Sequence, residues 1–255
     1  MSDSGAGAGD DRQIAPGLAV RGFAPPLRLA DFRLIAFDMD STLITIECID
    51  EIADVAGRKA EVAAITEAAM RGEIADYKES LRRRVALLAG VPAAALQRVH
   101  DERLRFHPGA ERLVAACKAA GLKTLLVSGG FTFFTDRVRD SLGFDFTRSN
   151  VLEVAEGALT GRGFDGSVLT GRLVDQPWGD ICDGAEKRKM MLETCQALAI
   201  SPAQAIAVGD GANDLPMMAA AGLSVAYHAK PKVRQAAMVA IDEGGLDRLL
   251  EIVTP

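Results

Sequence analysis

Apolar positions along this chain follow two different periods, and the change between them divides it. Leu34-Ile35-Ala36-Phe37 is a short apolar run closed by polar residues, the pattern of a strand buried on both faces. Residues 122–127, 205–208 and 223–226 repeat that pattern, and helical spacing over residues 110–120, from about Phe131, over 185–198 and over 215–221 alternates with it. Such alternation predicts a parallel sheet with crossover helices. From Glu47 the texture is different. Ile49, Ile52, Ala53 and Ala56 share one helical face before Gly57, and Val62, Ile65, Thr66 and Ala69 repeat it. Leu81, Val85 and Leu88 do so again, and Pro92 opens a further helix at its first turn. No strand pattern occurs between residue 47 and about 105, so an all-helical block interrupts the alternation directly after its first strand. The expected division is an N-terminal tail at 1–30, an α/β core at 31–46 and 106–255, and a helical cap at 47–105.

Two stretches fit neither texture. Residues 1–12 hold Gly, Ser, Ala and Asp with little to bury, which predicts disorder, and Pro16, Pro25 and Pro26 make 13–30 an extended lead-in. Residues 150–180 are rich in Gly, Thr and Val and predict a hairpin. Leu159-Thr160-Gly161-Arg162 recurs there as Leu169-Thr170-Gly171-Arg172, a local duplication that lengthens it.

Three predicted strand ends carry polar clusters: Asp38 with Asp40, Ser128-Gly129-Gly130, and Gly209-Asp210-Gly211-Ala212-Asn213-Asp214. Each alone also fits a turn or a helix cap. In a parallel sheet, however, all three lie at the one edge where ligands bind. Phosphoryl transfer suits this set. Asp38 and Asp210 are hard oxygen ligands for Mg²⁺, and the absence of a His or Cys cluster argues against zinc. Asp38 is a candidate nucleophile and Asp40 a candidate acid/base. Ser128 and the Gly129 N–H can hold phosphoryl oxygens, with Lys187 or Lys189 as a point charge.

Composition narrows the classes. The 255 residues are 49% hydrophobic with a net charge of −6, so the chain lacks the basic footprint of a nucleic-acid binder. No apolar run approaches the roughly 20 residues that span a bilayer. The N-terminus has no basic start and no apolar signal core, and Cys48, Cys117, Cys182 and Cys195 are far apart with no C-x-x-C pair. These features predict a cytoplasmic protein with reduced thiols, whose partner is a small molecule rather than nucleic acid or membrane.

Phe37-Asp38-Met39-Asp40-Ser41-Thr42, Ser128, Lys187 and Gly209–Asp214 stand in the order of four motifs and resemble those of the haloacid dehalogenase-like hydrolases, over residues 31–250. Met70-Arg71-Gly72-Glu73, Ser80-Leu81-Arg82-Arg83-Arg84-Val85 and Val127-Ser128-Gly129-Gly130-Phe131 are similar to the members of that family that act on O-phosphoserine in the last step of serine biosynthesis. The resemblance implies a doubly wound, mostly parallel α/β core with a small inserted helical cap and a β-hairpin flap. It implies an aspartyl-phosphate on Asp38, acid/base work by Asp40, and Mg²⁺ held by Asp38, the Asp40 carbonyl, Asp210 and, through water, Asp214. Ser128, Gly129, Lys187 and Asn213 would hold the phosphoryl group. Glu47 would meet the substrate ammonium, Arg84 its carboxylate, and Met70 and Tyr77 would form an apolar lining. A small zwitterion needs one anion and one guanidinium fork, which agrees. The chain departs from the family pattern by one extra residue between Met70 and Tyr77, by Tyr77 where Phe is usual, and by the long hairpin at 153–178. Another small phosphomonoester, phosphotransfer, or a phospho-accepting signalling role are the alternatives, and both monomer and homodimer stay open.

Overall fold

The computed structural model describes residues 11–155, 167–176 and 181–254, without the side chain of Met70. Its centre is β4 (Leu34–Phe37), whose four residues are all buried. Strand alternation sends Ile35 and Phe37 into one apolar layer and Leu34 and Ala36 into the other. Burial of each large side chain here contributes roughly 1.5–3 kcal/mol. The first layer is covered by α5 (Ala110–Ala119) and α6 (Thr132–Leu142) through Leu113, Cys117, Phe134 and Val138. The second is covered by α7 (Gly184–Ala197) and α8 (Leu215–Met218) through Met191, Cys195, Met217 and Met218.

β4 pairs in parallel with β5 (Lys123–Phe131) on one flank and β8 (Ala205–Gly209) on the other, Phe37 standing opposite both Leu126 and Val208. From β5 the sheet continues outward to β6 (Phe146–Ala155) and the antiparallel β7 (Val168–Val174). The chain then returns to the far side of β4 and builds β8, β9 (Leu223–Tyr227) and β10 (Val239–Ile241), all parallel. Winding therefore reverses at β4, and a doubly wound sheet binds ligands at such a reversal. The fold is the expected α/β class.

Between β4 and β5 stand α1 (Cys48–Val55), α2 (Lys59–Met70), α3 (Tyr77–Ala86) and α4 (Ala94–Glu102). The two chain passages into and out of this block are stitched together: Thr45 N–H donates to Arg105 C=O at 2.9 Å and His107 N–H to Leu43 C=O at 2.8 Å. The hairpin meets the helices as well. Gly90 N–H donates to Leu169 C=O, Leu169 N–H to Val91 C=O, and Ala93 N–H to Ser167 C=O, at 2.7–2.8 Å. No described helix is long and apolar enough to cross a membrane.

The main departure from expectation is at the N-terminus. Within the predicted tail at 1–30, Arg12–Ala15 (β1) and Leu18–Val20 (β2) form a hairpin that extends the sheet antiparallel to β10, making nine strands. Pro16 and Gly17 make its turn, so one of the prolines that argued for an extended lead-in serves a strand pair. Residues 1–10 lie outside the described residues. β5 runs on through Ser128-Gly129-Gly130 before α6 begins, and α8 stops at Met218 rather than near residue 221. The first copy of the duplicated segment, 159–162, also lies outside the described residues, and the second falls within β7.

Candidate active site

β4 ends one residue before Asp38, whose N–H still donates to Val208 C=O at 3.0 Å, so the carboxylate leaves the sheet from a fixed backbone. Lys187, on the first turns of α7, is fully buried behind it. Its ammonium lies 2.6 Å from Asp38 Oδ1 and 2.7 Å from Asp214 Oδ1. The other Asp214 oxygen accepts from the N–H groups of Asp210 and Gly211 at 3.2 and 2.9 Å, which folds the 210–214 loop around that carboxylate. Thr42 Oγ1 donates to Asp210 Oδ1 at 3.2 Å. Carboxylate oxygens of Asp38, Asp210 and Asp214 all fall within 4.8 Å of one another.

Three buried carboxylates here face one ammonium. Burial first, and then the Asp214 charge, push Asp38 well above the usual carboxylate range, against the pull of Lys187. The same two causes push Asp210 up to about 6. Burial works against the Lys187 charge, but Asp214 and Asp38 outweigh it and hold the ammonium protonated. The excess negative charge in a dry site calls for a cation. All-oxygen donors at this spacing fit Mg²⁺.

Asp40 follows on the same loop, which turns sharply at Ser41 with φ 56. A non-glycine residue in the left-handed region costs on the order of 1 kcal/mol and marks a loop held by its surroundings. The Ser41 hydroxyl donates to Glu47 Oε1 at 2.7 Å. Asp40 Oδ1 is buried without a hydrogen-bond partner. Burial, then the Glu47 charge, raise this carboxyl to about 7, where it can both give and take a proton near neutrality.

The third strand end forms a cradle. Ser128 Oγ accepts from Gly130 N–H at 2.9 Å, and α6 starts just beyond. Asn150 on β6 fixes the loop from beneath: its amide donates to Gly129 C=O at 2.8 Å and accepts from Cys182 N–H at 2.8 Å. Tyr77, the first residue of α3, lies over Gly129 so closely that a Cβ at residue 129 would stand 2.1 Å from the phenol oxygen. Burial raises the Tyr77 pKa above that of a free phenol, so the phenol keeps its proton. Asp76 caps α3 by accepting from Lys78 N–H at 3.0 Å, and Lys78 Nζ lies 3.6 Å from Asp183, the N-cap of α7.

These groups enclose one cavity of about 470 Å³. Asp38, Asp40, Ser128, Gly129, Asp210 and Asn213 line its core side, and Glu47, Tyr77 and Arg84 its helical side. Lys187 and Asp214 are not among the lining residues but pack directly against Asp38 and the 210–214 loop. Lys189, the other candidate lysine, is exposed and lies 3.5 Å from Glu186. Met70 ends α2, and its side chain lies outside the described residues. Tyr77 was expected as apolar lining; its ring fits that description, but its hydroxyl reaches the cradle. Sequence reasoning missed three residues. Lys230 lines the cavity and its N–H donates to Asp210 C=O at 3.2 Å. Asp50 lines the helical side. Asn150 had a signal, an amide in the middle of a strand, where only a specific partner justifies burial.

Residues 32–222 match the family described as haloacid dehalogenase-like hydrolase. A phosphoserine phosphatase of Polaromonas sp. is 73% identical over 241 residues, covering 94% of this chain and 98% of the relative. One from Albidiferax ferrireducens is 71% identical, covering 95% and 98%. Among solved structures, a substrate-bound phosphoserine phosphatase complex superimposes with a TM-score of 0.76 at 33% identity, covering 88% of this chain and 99% of that one. A phospho-aspartyl intermediate analogue of phosphoserine phosphatase gives 0.75 at 34% identity, with the same coverage.

Proposed function

This chain belongs to the haloacid dehalogenase-like hydrolases, and from that premise we propose that it hydrolyses O-phosphoserine to serine and phosphate, the step that completes serine biosynthesis. The observation that carries the reading is the single cavity joining Asp38 and Asp40 to Glu47 and Arg84, a phosphoryl site facing an anion and a guanidinium. The 73% identical relative named for the same reaction supports it.

Lys187 holds Asp38 through Oδ1, which leaves Oδ2 to attack phosphorus. As the P–O bond to the seryl oxygen breaks, Asp40 gives its proton to that oxygen, and serine leaves with the electron pair of the bond. Asp40, now a carboxylate, takes a proton from water, whose oxygen attacks the aspartyl-phosphate and frees Asp38 and phosphate. Ser128 Oγ, Gly129 N–H, Lys187 and Asn213 bind the phosphoryl oxygens. Glu47 accepts from the ammonium, and the Arg84 fork binds the carboxylate. Met70 and the Tyr77 ring complete the walls, and the helices exclude bulk water. Asp38, the Asp40 carbonyl and Asp210, with Asp214 through water, would hold Mg²⁺, which would supply charge neutralisation for the phosphoryl group. The four cysteines are buried and unpaired, which suits the reducing cytoplasm in which we place the reaction.

Phosphate release from a panel of phosphomonoesters tests the reading. O-phosphoserine is expected to give the highest kcat/KM, chelation of Mg²⁺ to stop release, and Asp38→Asn to lower kcat by about 10³-fold or more. Equal rates across the panel would remove the substrate assignment. An active Asp38→Asn protein would remove the nucleophile. A stable phosphoenzyme without turnover would favour a phospho-accepting switch, against which Asp40, a buried acid beside Asp38 with a pKa of about 7, argues.

A further inference from the structure

Four buried side-chain polar atoms lack a hydrogen-bond partner among the described residues: Asp40 Oδ1, Asp50 Oδ1, Arg84 Nε and Thr147 Oγ1. Three of the four belong to residues lining the one cavity that holds Asp38. A buried polar atom left unpaired in a native protein calls for an explanation, and a polar ligand that supplies the partner is one. Asp40 has its explanation in proton transfer. Asp50 and Arg84 remain, one an acceptor and the other a donor.

Asp50 lies in the first turn of α1, three residues after Glu47, so both acids sit on one face of the helix start. An acid in the first turn ordinarily reaches back to cap the helix or complements its dipole. Here Oδ1 makes no such bond. Glu47 is partly engaged already, since Ser41 donates to its Oε1 at 2.7 Å. Burial raises the Asp50 carboxyl, and Arg84 is the strongest charge opposing that rise. Yet Asp50 and Arg84 form no ion pair with each other among the described residues. A carboxylate and a guanidinium that share a cavity without pairing leave room for a ligand of complementary polarity between them.

We propose that Asp50 determines specificity for the substrate's ammonium group: its Oδ1 accepts from the ammonium alongside Glu47, while Arg84 Nε donates to the carboxylate. This inference rests on the proposed phosphoserine reading and assigns the amino group a second anion. A single carboxylate already shared with Ser41 would otherwise carry all discrimination for the charged nitrogen. Two acids converging on it explain why the first turn of α1 turns both toward the cavity.

The experiment compares intact wild-type protein with Asp50→Asn on three ligands: O-phosphoserine, phosphoethanolamine (ammonium, no carboxylate) and 2-phosphoglycolate (carboxylate, no ammonium). Each is followed as a substrate or as a competitive inhibitor. Asp50→Asn is expected to weaken the two ammonium ligands by about tenfold or more, mainly in KM or Ki, and to leave 2-phosphoglycolate unchanged. Inhibition by inorganic phosphate should stay as in wild type. Asp50→Glu, which restores the charge, should recover part of the preference and covers the case in which Asp50→Asn folds poorly. A loss that follows the carboxylate, sparing phosphoethanolamine, would overturn the proposal and make Asp50 a positioning residue for Arg84. An equal loss on all three ligands would also overturn it, as a structural effect. Failure of the phosphoserine reading itself would show in wild type alone, as no preference for O-phosphoserine before any substitution.

Discussion

A methyl group on residue 129 would collide first with the hydroxyl of Tyr77, and a phenylalanine there would ease the contact without removing it. The phenol oxygen would stand 2.1 Å from a Cβ at 129, whereas the next ring atom, Cζ, would stand 3.3 Å away. Gly129→Ala is therefore expected to displace Tyr77 or the cradle and to lower kcat/KM by about 10²-fold, since misplacement of a positioned group by an ångström costs that much. Adding Tyr77→Phe should recover part of the loss, because it removes the nearest colliding atom while the ring carbon at 3.3 Å stays tight. Steady-state kinetics on the four proteins of this double-mutant cycle would check it, and additive losses would refute the contact. At this scale the strand-end acids were legible because motif spacing and strand direction are local properties. Asp38, Asp210 and Asp214 needed only the expectation of a parallel sheet to be brought together. Asp50 was not legible, because an acid early in a helix has a sufficient local explanation until its missing partner is seen. Lys187 and Lys189 could not be separated by the residues alone; burial separates them.

Elements were easiest to read where one period dominated. The helices at 47–105 and the strand at 34–37 lie where the pattern put them, while β5 outran its apolar core. Its extension through Ser128-Gly129-Gly130 is polar and glycine-rich, and pairing of Phe131 with Asn150 across an irregular register keeps it extended. The join between β5 and β6 supplies a test of how such pairing is held. Asp145, just before β6, accepts from Thr124 N–H and Oγ1 at 2.9 Å and from Lys123 Nζ at 2.7 Å. Burial raises this carboxyl, but Lys123 and Thr124 together outweigh burial and hold it below the usual range. A lowered folded value means that its stabilisation is complete above the ordinary carboxylate pKa of about 4 and is lost as pH falls through the folded value. Asp145→Asn is expected to destabilise the protein by about 1–2 kcal/mol at pH 7, with the difference from wild type shrinking below about pH 4. Urea unfolding at pH 7 and pH 3 measures both; a difference that stays constant with pH would show that charge plays no part.

Across the whole molecule, the sheet ends differently on its two sides, and the N-terminal side is where sequence reading fell short. β1 and β2 are too short to register as periodic, and three prolines nearby argued for an extended lead-in. Their contribution is visible only once β10 is known to lie beside them, since a strand pair at a sheet edge is justified by its neighbour. Leu18, Ala19 and Val20 are at most 3% exposed, and Leu18 stands opposite Ile241 and Val20 opposite Val239. Without them β10 would present an unpaired edge with an apolar face, which is a template for association. Arg234 extends the attachment by an ion pair with Asp11 at 3.0 Å. Deleting residues 1–21 is therefore expected to remove roughly 3–6 kcal/mol from the burial of Leu18 and Val20 and to give concentration-dependent aggregation. Because β9 separates β10 from β8 and its loop, the monomeric fraction should retain its kcat. Thermal unfolding with light scattering, alongside phosphate release from the monomer, distinguishes this from a passive tail, whose removal would leave both the melting temperature and the scattering unchanged.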